Sequence, residues 1–224
     1  MWYSDNIKRN IKIASLEEEA QKYDNVRDFI RGLEAEGKMQ YHGSSNDFEE
    51  FSYDYLGANG TNEGKGFYFT NKRDIAKGYK LGPYGKLFEA YVDVRKPLSP
   101  DRLTISRRDL IKFLKALDPD GSGYLSNYGD VSYEGYDTIL NEAVNNLLQY
   151  DDNDVDLISG IVNGLGGNPE RIYPILKETL GYDGIIIHKP NWGEDQIITV
   201  AFSNDQIYTR YKLAKYWEKL RESK

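Results

Sequence analysis

One histidine and two tyrosines are the residues whose types and positions could form a binding site in this chain. His42 follows a short predicted strand and precedes a Gly-Ser turn. Tyr68 lies on a second predicted strand between Phe67 and Phe69, and because side chains alternate along a strand, it cannot share the core face with both phenylalanines. Tyr79 follows 11 residues later, about three helical turns on. A tyrosine that faces a cleft offers its ring for stacking on a flat ligand.

These residues belong to three stretches that together resemble a known family. The stretches are Tyr-His-Gly-Ser at 41–44, Gly-Lys-Gly-Phe-Tyr-Phe-Thr at 64–70, and Tyr79. The pattern is similar to the nicotinamide-binding half of the ADP-ribosyltransferases, in the His-Tyr-x branch shared by diphtheria toxin and the poly(ADP-ribose) polymerases. The overall order, with a preceding helix and Gly-Tyr-Asp-Gly-Ile-Ile at 181–186, resembles the phage-type domains of polyvalent or head-associated proteins.

The resemblance implies NAD as the substrate and a role for each of five residues. His42 would hydrogen-bond the adenosine ribose. The Gly43 backbone would hold the nicotinamide amide, with Ser44 beside it, and glycine suits this position because a side chain would collide with the bound ring. Tyr68 and Tyr79 would sandwich the nicotinamide ring between them.

Two positions depart from the family pattern. Ala76 stands where many relatives carry a serine that hydrogen-bonds the amide. Aligning the chain on Phe202 and the pair Gln206-Ile207 places Ile198 at the position of the catalytic glutamate. That glutamate grips the nicotinamide-ribose 2′-hydroxyl and stabilises the oxocarbenium-like transition state as nicotinamide leaves, which requires a carboxylate. Isoleucine cannot perform this task.

Three explanations of Ile198 stay open. The chain resembles transferases that carry His-Tyr-Ile, transfer single ADP-ribose units and borrow the carboxylate from an acidic target residue. Alternatively, Gln196 takes the role, because it lies two residues upstream on the same strand face, about 6.6 Å away, or Glu194 swings in from the loop edge. In the third explanation the site binds its ligand without catalysing a reaction.

The surrounding sequence predicts an α+β fold with an ADP-ribosyltransferase-like split β-sheet core, a helical insertion and flanking helices. Apolar periodicity and capping residues predict helices over 15–36, broken at Asn25, and over 72–81, 107–117, 137–150, 154–164, 169–180 and 205–222. Strands are predicted over 39–42, 67–70, 87–94, 185–187 and 197–202. We expect an N-terminal helical segment packing on the core (1–38), the transferase-like domain (39–210, with the insertion at 101–180) and a C-terminal helix (211–224).

Composition excludes several classes of protein. The net charge of −7 and the pI near 5.0 argue against a nucleic-acid-coating surface. No apolar run approaches the ~18 residues of a membrane span, and the start of the chain lacks the pattern of a signal peptide. The absence of cysteine rules out disulfides, thiolate catalysis and cysteine–zinc sites. We expect a cytoplasmic protein without membrane partners, with a host-cell cytoplasm or a virion as alternative settings.

No metal site is predicted. Residues 118–124 imitate the start of an EF-hand loop, but position 12 of that loop is Gly129 instead of the bidentate glutamate. His188 ends a strand without an acidic or histidine partner nearby in sequence, so a surface role is expected for it.

The resemblance therefore implies a mono-ADP-ribosyltransferase that cleaves the nicotinamide glycosidic bond of NAD and passes ADP-ribose to a protein or other macromolecular target. Two alternatives belong to other classes. One is a non-catalytic or virion-associated module with the same fold, and Ile198 is the feature that favours it. The other is an NAD glycohydrolase, which would release nicotinamide without labelling a protein.

Overall fold

The computed structural model describes residues 15–55, 64–189 and 195–222 of the 224-residue chain. Within those ranges the protein is α+β, with nine α-helices around one curled seven-stranded sheet. The strands are β1 (Met39–Ser44), β2 (Phe67–Thr70), β3 (Lys86–Val92), β4 (Pro97–Leu98), β5 (Gly184–Lys189), β6 (Gln196–Ala201) and β7 (Ile207–Thr209). The helices are α1 (Leu16–Ala20), α2 (Val26–Ala35), α3 (Arg73–Gly78), α4 (Arg107–Leu117), α5 (Val131–Glu134), α6 (Tyr136–Tyr150), α7 (Asp154–Gly164), α8 (Pro169–Leu180) and α9 (Arg210–Glu222).

The sheet is split between the neighbouring strands β2 and β1. Its order is β4-β5-β6-β2-β1-β3-β7, and all neighbours are antiparallel except β4 and β5. β1 pairs with β3 along its whole length, but it pairs with β2 only at Tyr41 and Thr70. Beyond that pair the ladder stops, although β1 continues to Ser44 and β2 begins at Phe67. The predicted split-sheet fold is thereby confirmed.

The two faces of the sheet are covered by different parts of the chain. On one face, β4, β5, β6 and β2 pack on α4, α6, α7 and α8 and form the largest core, called here the helical cluster. On the same face, β1, β3 and β7 pack on α1, α2 and α9. The opposite face carries the phenylalanine cluster, centred on Phe51, Phe67, Phe69 and Phe88, against which Phe48 and Tyr53 pack. α3 lies against both β1 and β2, beside the split.

Capping residues explain why several predicted helix ends are confirmed. Ser15 forms a capping box with Glu18, and Asn25 accepts a hydrogen bond from the Asp28 amide at 2.9 Å, which starts α2 at the predicted break. α4, α7 and α8 have the predicted bounds. At the end of α8, Gly181 adopts a left-handed conformation with φ of 80° that favours glycine.

Other predicted elements were wrong in extent. The helix predicted over 72–81 is shorter, because α3 ends at Gly78 and the residues after it are exposed and have no core to pack against. The tail helix predicted from 205 starts at Arg210, since residues 207–209 instead form β7 beside β3. The short strands β4 and β7 were not predicted, because two or three residues are too few to show alternation. No helix in the described ranges is long and apolar enough to cross a bilayer.

Candidate nucleotide site at the split of the sheet

His42 bridges the split where backbone pairing stops. Its Nδ1 lies 2.7 Å from the Tyr68 carbonyl oxygen across the gap between β1 and β2. A carbonyl only accepts hydrogen bonds, so Nδ1 carries the proton and Nε2 of the neutral ring is an acceptor. Burial lowers the pKa of His42 below its ordinary value of 6.5, and the bond to the Tyr68 carbonyl opposes this only in part. The ring is therefore neutral at pH 7.

Aromatic rings surround the His42 side chain on the face of the phenylalanine cluster. The centroid of its ring lies 5.1 Å from that of Phe51, 5.6 Å from that of Phe69 and 6.0 Å from that of Phe88. Phe48 lies further out, at 6.3 Å. These rings remove water from the imidazole, which is the physical cause of the lowered pKa.

Gly43 permits a close approach between β1 and α3. A Cβ atom at this position would lie 1.8 Å from the Ala76 carbonyl oxygen and 3.0 Å from the Tyr79 Cβ. The structure thus gives a reason for glycine that differs from the predicted collision with a bound ring, because a side chain would first displace α3. The same packing brings Tyr79, the residue that caps α3 at its C-terminal end, directly beside Gly43. Tyr79 remains 51% exposed.

Tyr68 points away from its two phenylalanine neighbours, as its position on the strand predicted. Phe67 and Phe69 belong to the phenylalanine cluster, whereas Tyr68 is half-buried against the helical cluster on the other face. Its hydroxyl donates to the Gly64 carbonyl. The structure therefore places the rings of His42 and Tyr68 on opposite faces of the sheet, next to the split between β1 and β2.

The turn before β2 is held by the helical insertion. The Tyr173 hydroxyl donates to the Lys65 carbonyl at 2.5 Å, and the Lys65 ammonium donates to the Gly167 carbonyl at 2.8 Å. Tyr173 itself is stacked on Phe202 with a centroid distance of 3.7 Å. Sequence reasoning missed Tyr173, and its only signal was a place on the apolar face of α8.

Ile198 and Gln196 lie on β6, next to β2. Ile198 pairs with Thr70, shares a sheet face with Tyr68 and is half-buried against the helical cluster. Gln196 is buried, and its Nε2 lies 3.5 Å from the Thr70 Oγ1, at the outer limit of a hydrogen bond. Glu194, the other predicted substitute for the missing glutamate, lies outside the described residues.

Glu89, which lies in the same row of cross-strand pairs as Ile198, does not replace the missing catalytic glutamate. Ile198 pairs with Thr70, Thr70 with Tyr41, and Tyr41 with Glu89. Glu89 accepts two hydrogen bonds from Arg210, at 2.9 and 3.0 Å, and raises the pKa of Tyr41 together with burial, the larger cause. Its carboxylate is therefore paired with Arg210, and it lies on β3, three strands away from β6.

Two polar residues named from the sequence have structural partners. The Ser44 side chain is buried, and its hydroxyl accepts the Asn46 amide at 3.1 Å, which shapes the turn after β1. Asp118, first in the loop that imitates an EF-hand, is buried and accepts the amides of Gly123 and Leu125 at 3.0 and 2.8 Å. His188 is exposed at the end of β5.

Comparison with known proteins identifies a family for the chain. A family model described as "ADP-Ribosyltransferase in polyvalent proteins" matches residues 34–209, which include the whole split sheet and the helical insertion. No curated protein and no solved structure matches the chain significantly. Because the match covers most of the sequence, the chain belongs to the family of ADP-ribosyltransferases found in polyvalent proteins.

Proposed function

We propose that the protein is an NAD-dependent mono-ADP-ribosyltransferase of the His-Tyr-x branch, acting on a macromolecule of the host cell or the virion. The observation that carries the proposal is the contact between Gly43 and Tyr79 beside Tyr68 at the split of the sheet. Tyr79 is exposed and Tyr68 is half-buried, so each has a ring that can stack on a flat nicotinamide. Gly43 is buried under α3, but it lies beyond the last pair of β1 with β2, where its backbone can approach the amide group.

The two faces of the sheet bind different parts of the NAD molecule. Tyr68, Tyr79 and the Gly43 backbone hold the nicotinamide, with Ser44 shaping the turn beside them. His42 presents Nε2 as an acceptor because its Nδ1–H is engaged with the Tyr68 carbonyl, so it accepts a hydrogen bond from a hydroxyl of the adenosine ribose. NAD reaches both groups by lying across the split.

The reaction is a displacement at C1′ of the nicotinamide ribose. The C1′–N bond breaks and its electron pair neutralises the nicotinamide nitrogen, while an oxygen of the acceptor forms the new bond to C1′. Ile198 provides no negative charge for the oxocarbenium-like transition state. We therefore propose that the acceptor is an acidic residue of the target, whose carboxylate supplies both the charge and the nucleophile.

A second candidate function rests on Ile198. An uncharged side chain packed on the helical cluster favours a non-catalytic module that binds a nucleotide or a protein through the same fold. Slow NAD hydrolysis is the third candidate function, in which water takes the place of the acceptor. The products separate these functions: labelled protein, no product, or nicotinamide alone.

The test combines labelled NAD with a cell lysate and measures both nicotinamide release and label on protein. His42→Asn keeps a donor near the position of Nδ1 but lacks Nε2, and Tyr79→Ala removes an exposed ring without disturbing the core. We expect each to lower transfer by about tenfold or more. Tyr133→Ala is the matched control, because Tyr133 is 92% exposed on α5, in the helical insertion, and should retain full activity.

Full transfer by both site variants would refute the assignment, and absence of both products together with absence of NAD binding would favour the non-catalytic module. Gln196→Ala is a separate test of which group stabilises the transition state. A sharp fall in nicotinamide release in that variant assigns the contact with the ribose 2′-hydroxyl to Gln196, whereas an unchanged rate leaves Glu194 or the acceptor as the source of the charge.

A further inference from the structure

The stretch from the start of α3 to the start of β3 has a charge opposite to that of the whole chain. Residues 72–86, called here the α3–β3 segment, contain five lysine or arginine residues and one acidic residue, although the protein carries a net charge of −7. The segment follows Thr70 of β2 and contains Tyr79, so it borders the candidate site directly.

Large apolar side chains of this segment are left in solvent. Residues 77–84 are all exposed, and among them Leu81 is 60% and Tyr84 is 76% exposed, close in sequence to the half-exposed Tyr79. Three such side chains on one short segment, surrounded by charged residues, are the pattern of an interaction surface.

Part of the positive charge is not neutralised within the described part of the chain. Lys77 forms an ion pair with Asp74 at 2.6 Å, and Lys86 forms one with Asp47. Arg73 and Lys80 make no ion pair with the residues that the structure describes, and both are exposed. Cations that can bind an anionic partner, Arg73 and Lys80, therefore lie close in sequence to exposed apolar side chains at the edge of the site.

From these features we infer that the α3–β3 segment is the docking surface for an acidic segment of the target protein that carries an apolar side chain beside its carboxylates. This inference rests on the proposed function and deepens it, because docking here would hold acceptor carboxylates next to Tyr79. Charge complementarity raises the rate of encounter with an acidic partner, and the apolar side chain packs on Leu81 and Tyr84. The net negative charge of the whole chain opposes the alternative, a nucleic-acid strand.

The experiment measures binding without NAD, so that it does not depend on catalysis. The probe is a fluorescent peptide of glutamates with one leucine and one tyrosine, and its anisotropy is followed at several salt concentrations. A peptide in which lysines replace the glutamates shows the contribution of charge. Wild-type protein should bind only the acidic peptide, and more weakly as salt rises.

Two variants test the two components of the surface. The double charge reversal Arg73→Glu with Lys80→Glu changes the two cations that make no ion pair within the described residues, and it should weaken binding by roughly tenfold or more and remove its salt dependence. Leu81→Ser with Tyr84→Ser should also weaken binding by roughly tenfold, with the salt dependence preserved. The matched controls are Arg108→Glu, an exposed charge reversal on α4, and Tyr133→Ser, which removes an exposed tyrosine on α5, and both should bind as the wild type does.

Equal binding by the wild type and both double variants would overturn the inference. So would tight binding of an oligothymidine by the wild type with loss in the charge-reversed variant, because the surface would then serve nucleic acid. Transfer of label from NAD to protein in the cell lysate, measured beside His42→Asn, reports separately on the proposed function. Failure of peptide binding while this transfer continues thus refutes only the docking surface.

Discussion

At the scale of single residues, the half-buried imidazole of His42 links the stability of the protein to pH. The folded protein holds this ring neutral, because four phenylalanine rings surround it and burial lowers its pKa. In the unfolded chain the same group titrates near its ordinary value of 6.5. As pH falls below that value, the unfolded state binds a proton that the folded state does not yet bind.

We therefore predict that the stabilising effect of the neutral ring is present above about pH 6.5 and is lost as pH falls from there through the folded-state pKa. Urea unfolding of wild type and His42→Asn at about pH 7.5 and about pH 5.5 measures it. The free energy of unfolding should fall more in the wild type, by at most about 1.4 kcal/mol, because about pH 5.5 is only one unit below the ordinary pKa of the histidine in the unfolded chain. Carboxylates titrate in both proteins, so parallel pH dependences would contradict the prediction.

At the scale of elements, α8 determines where the tyrosine of β2 is held. The Tyr68 hydroxyl donates to the Gly64 carbonyl, and the next residue of that turn, Lys65, is tied to the helical insertion by Tyr173 and Gly167. Gly66 completes the turn, since a Cβ atom there would lie 2.4 Å from the Val200 Cγ1. The helical insertion therefore acts as a support for the candidate site.

This makes Tyr173 a positioning residue, and Tyr173→Phe tests the role. Loss of its hydroxyl leaves the carbonyl of the half-buried Lys65 without that donor, which should cost about 1 kcal/mol of stability. The freed turn should also raise the KM for NAD by several-fold while kcat changes less. Nicotinamide release and urea unfolding measure the two effects.

The matched control for Tyr173 is Tyr124→Phe. Both tyrosines are 4% exposed, but the Tyr124 hydroxyl bonds to that of Tyr128 within the helical insertion. The control should lose stability and keep the wild-type KM. Equal KM values in both variants would reduce Tyr173 to a purely structural role.

At the scale of the whole molecule, one side chain joins the two halves of the split sheet. Gln206 is buried, accepts the amides of Phe202 and Ser203 at 3.0 and 2.9 Å, and donates to the carbonyls of Asp93 and Asp183 at 3.0 and 2.7 Å. These partners follow β6 and β3 and precede β5. The Gln-Ile pair that served to align the last family motif is thus a structural junction.

We predict that Gln206→Ala destabilises the protein by about 3 kcal/mol or more, because it leaves buried backbone groups without partners. Thermal or urea unfolding measures the loss. Gln149→Ala, an exposed substitution on α6, should change stability by less than about 0.5 kcal/mol. A small effect at Gln206 would mean that water or a shifted turn satisfies the freed groups.

Much of the local structure could be predicted from the sequence. Helices α4, α7 and α8 have the predicted bounds, because apolar spacing and capping residues such as Ser106, Asn153 and Gly181 act within one or two turns. The orientation of Tyr68 against its phenylalanine neighbours followed from the two-residue period of a strand. The stretches around His42, Tyr68 and Tyr79 also indicated the family before any contact between them was visible.

The tertiary structure alone decided how these residues meet. The sequence does not show that the ladder between β1 and β2 stops after one pair, that His42 bridges the gap, or that Gly43 is required by α3. Nor does it show that Tyr173, more than 100 residues further along the chain, holds the turn before β2. Capping and periodicity depend on neighbours along the chain, whereas strand pairing and close packing depend on residues that only folding brings together.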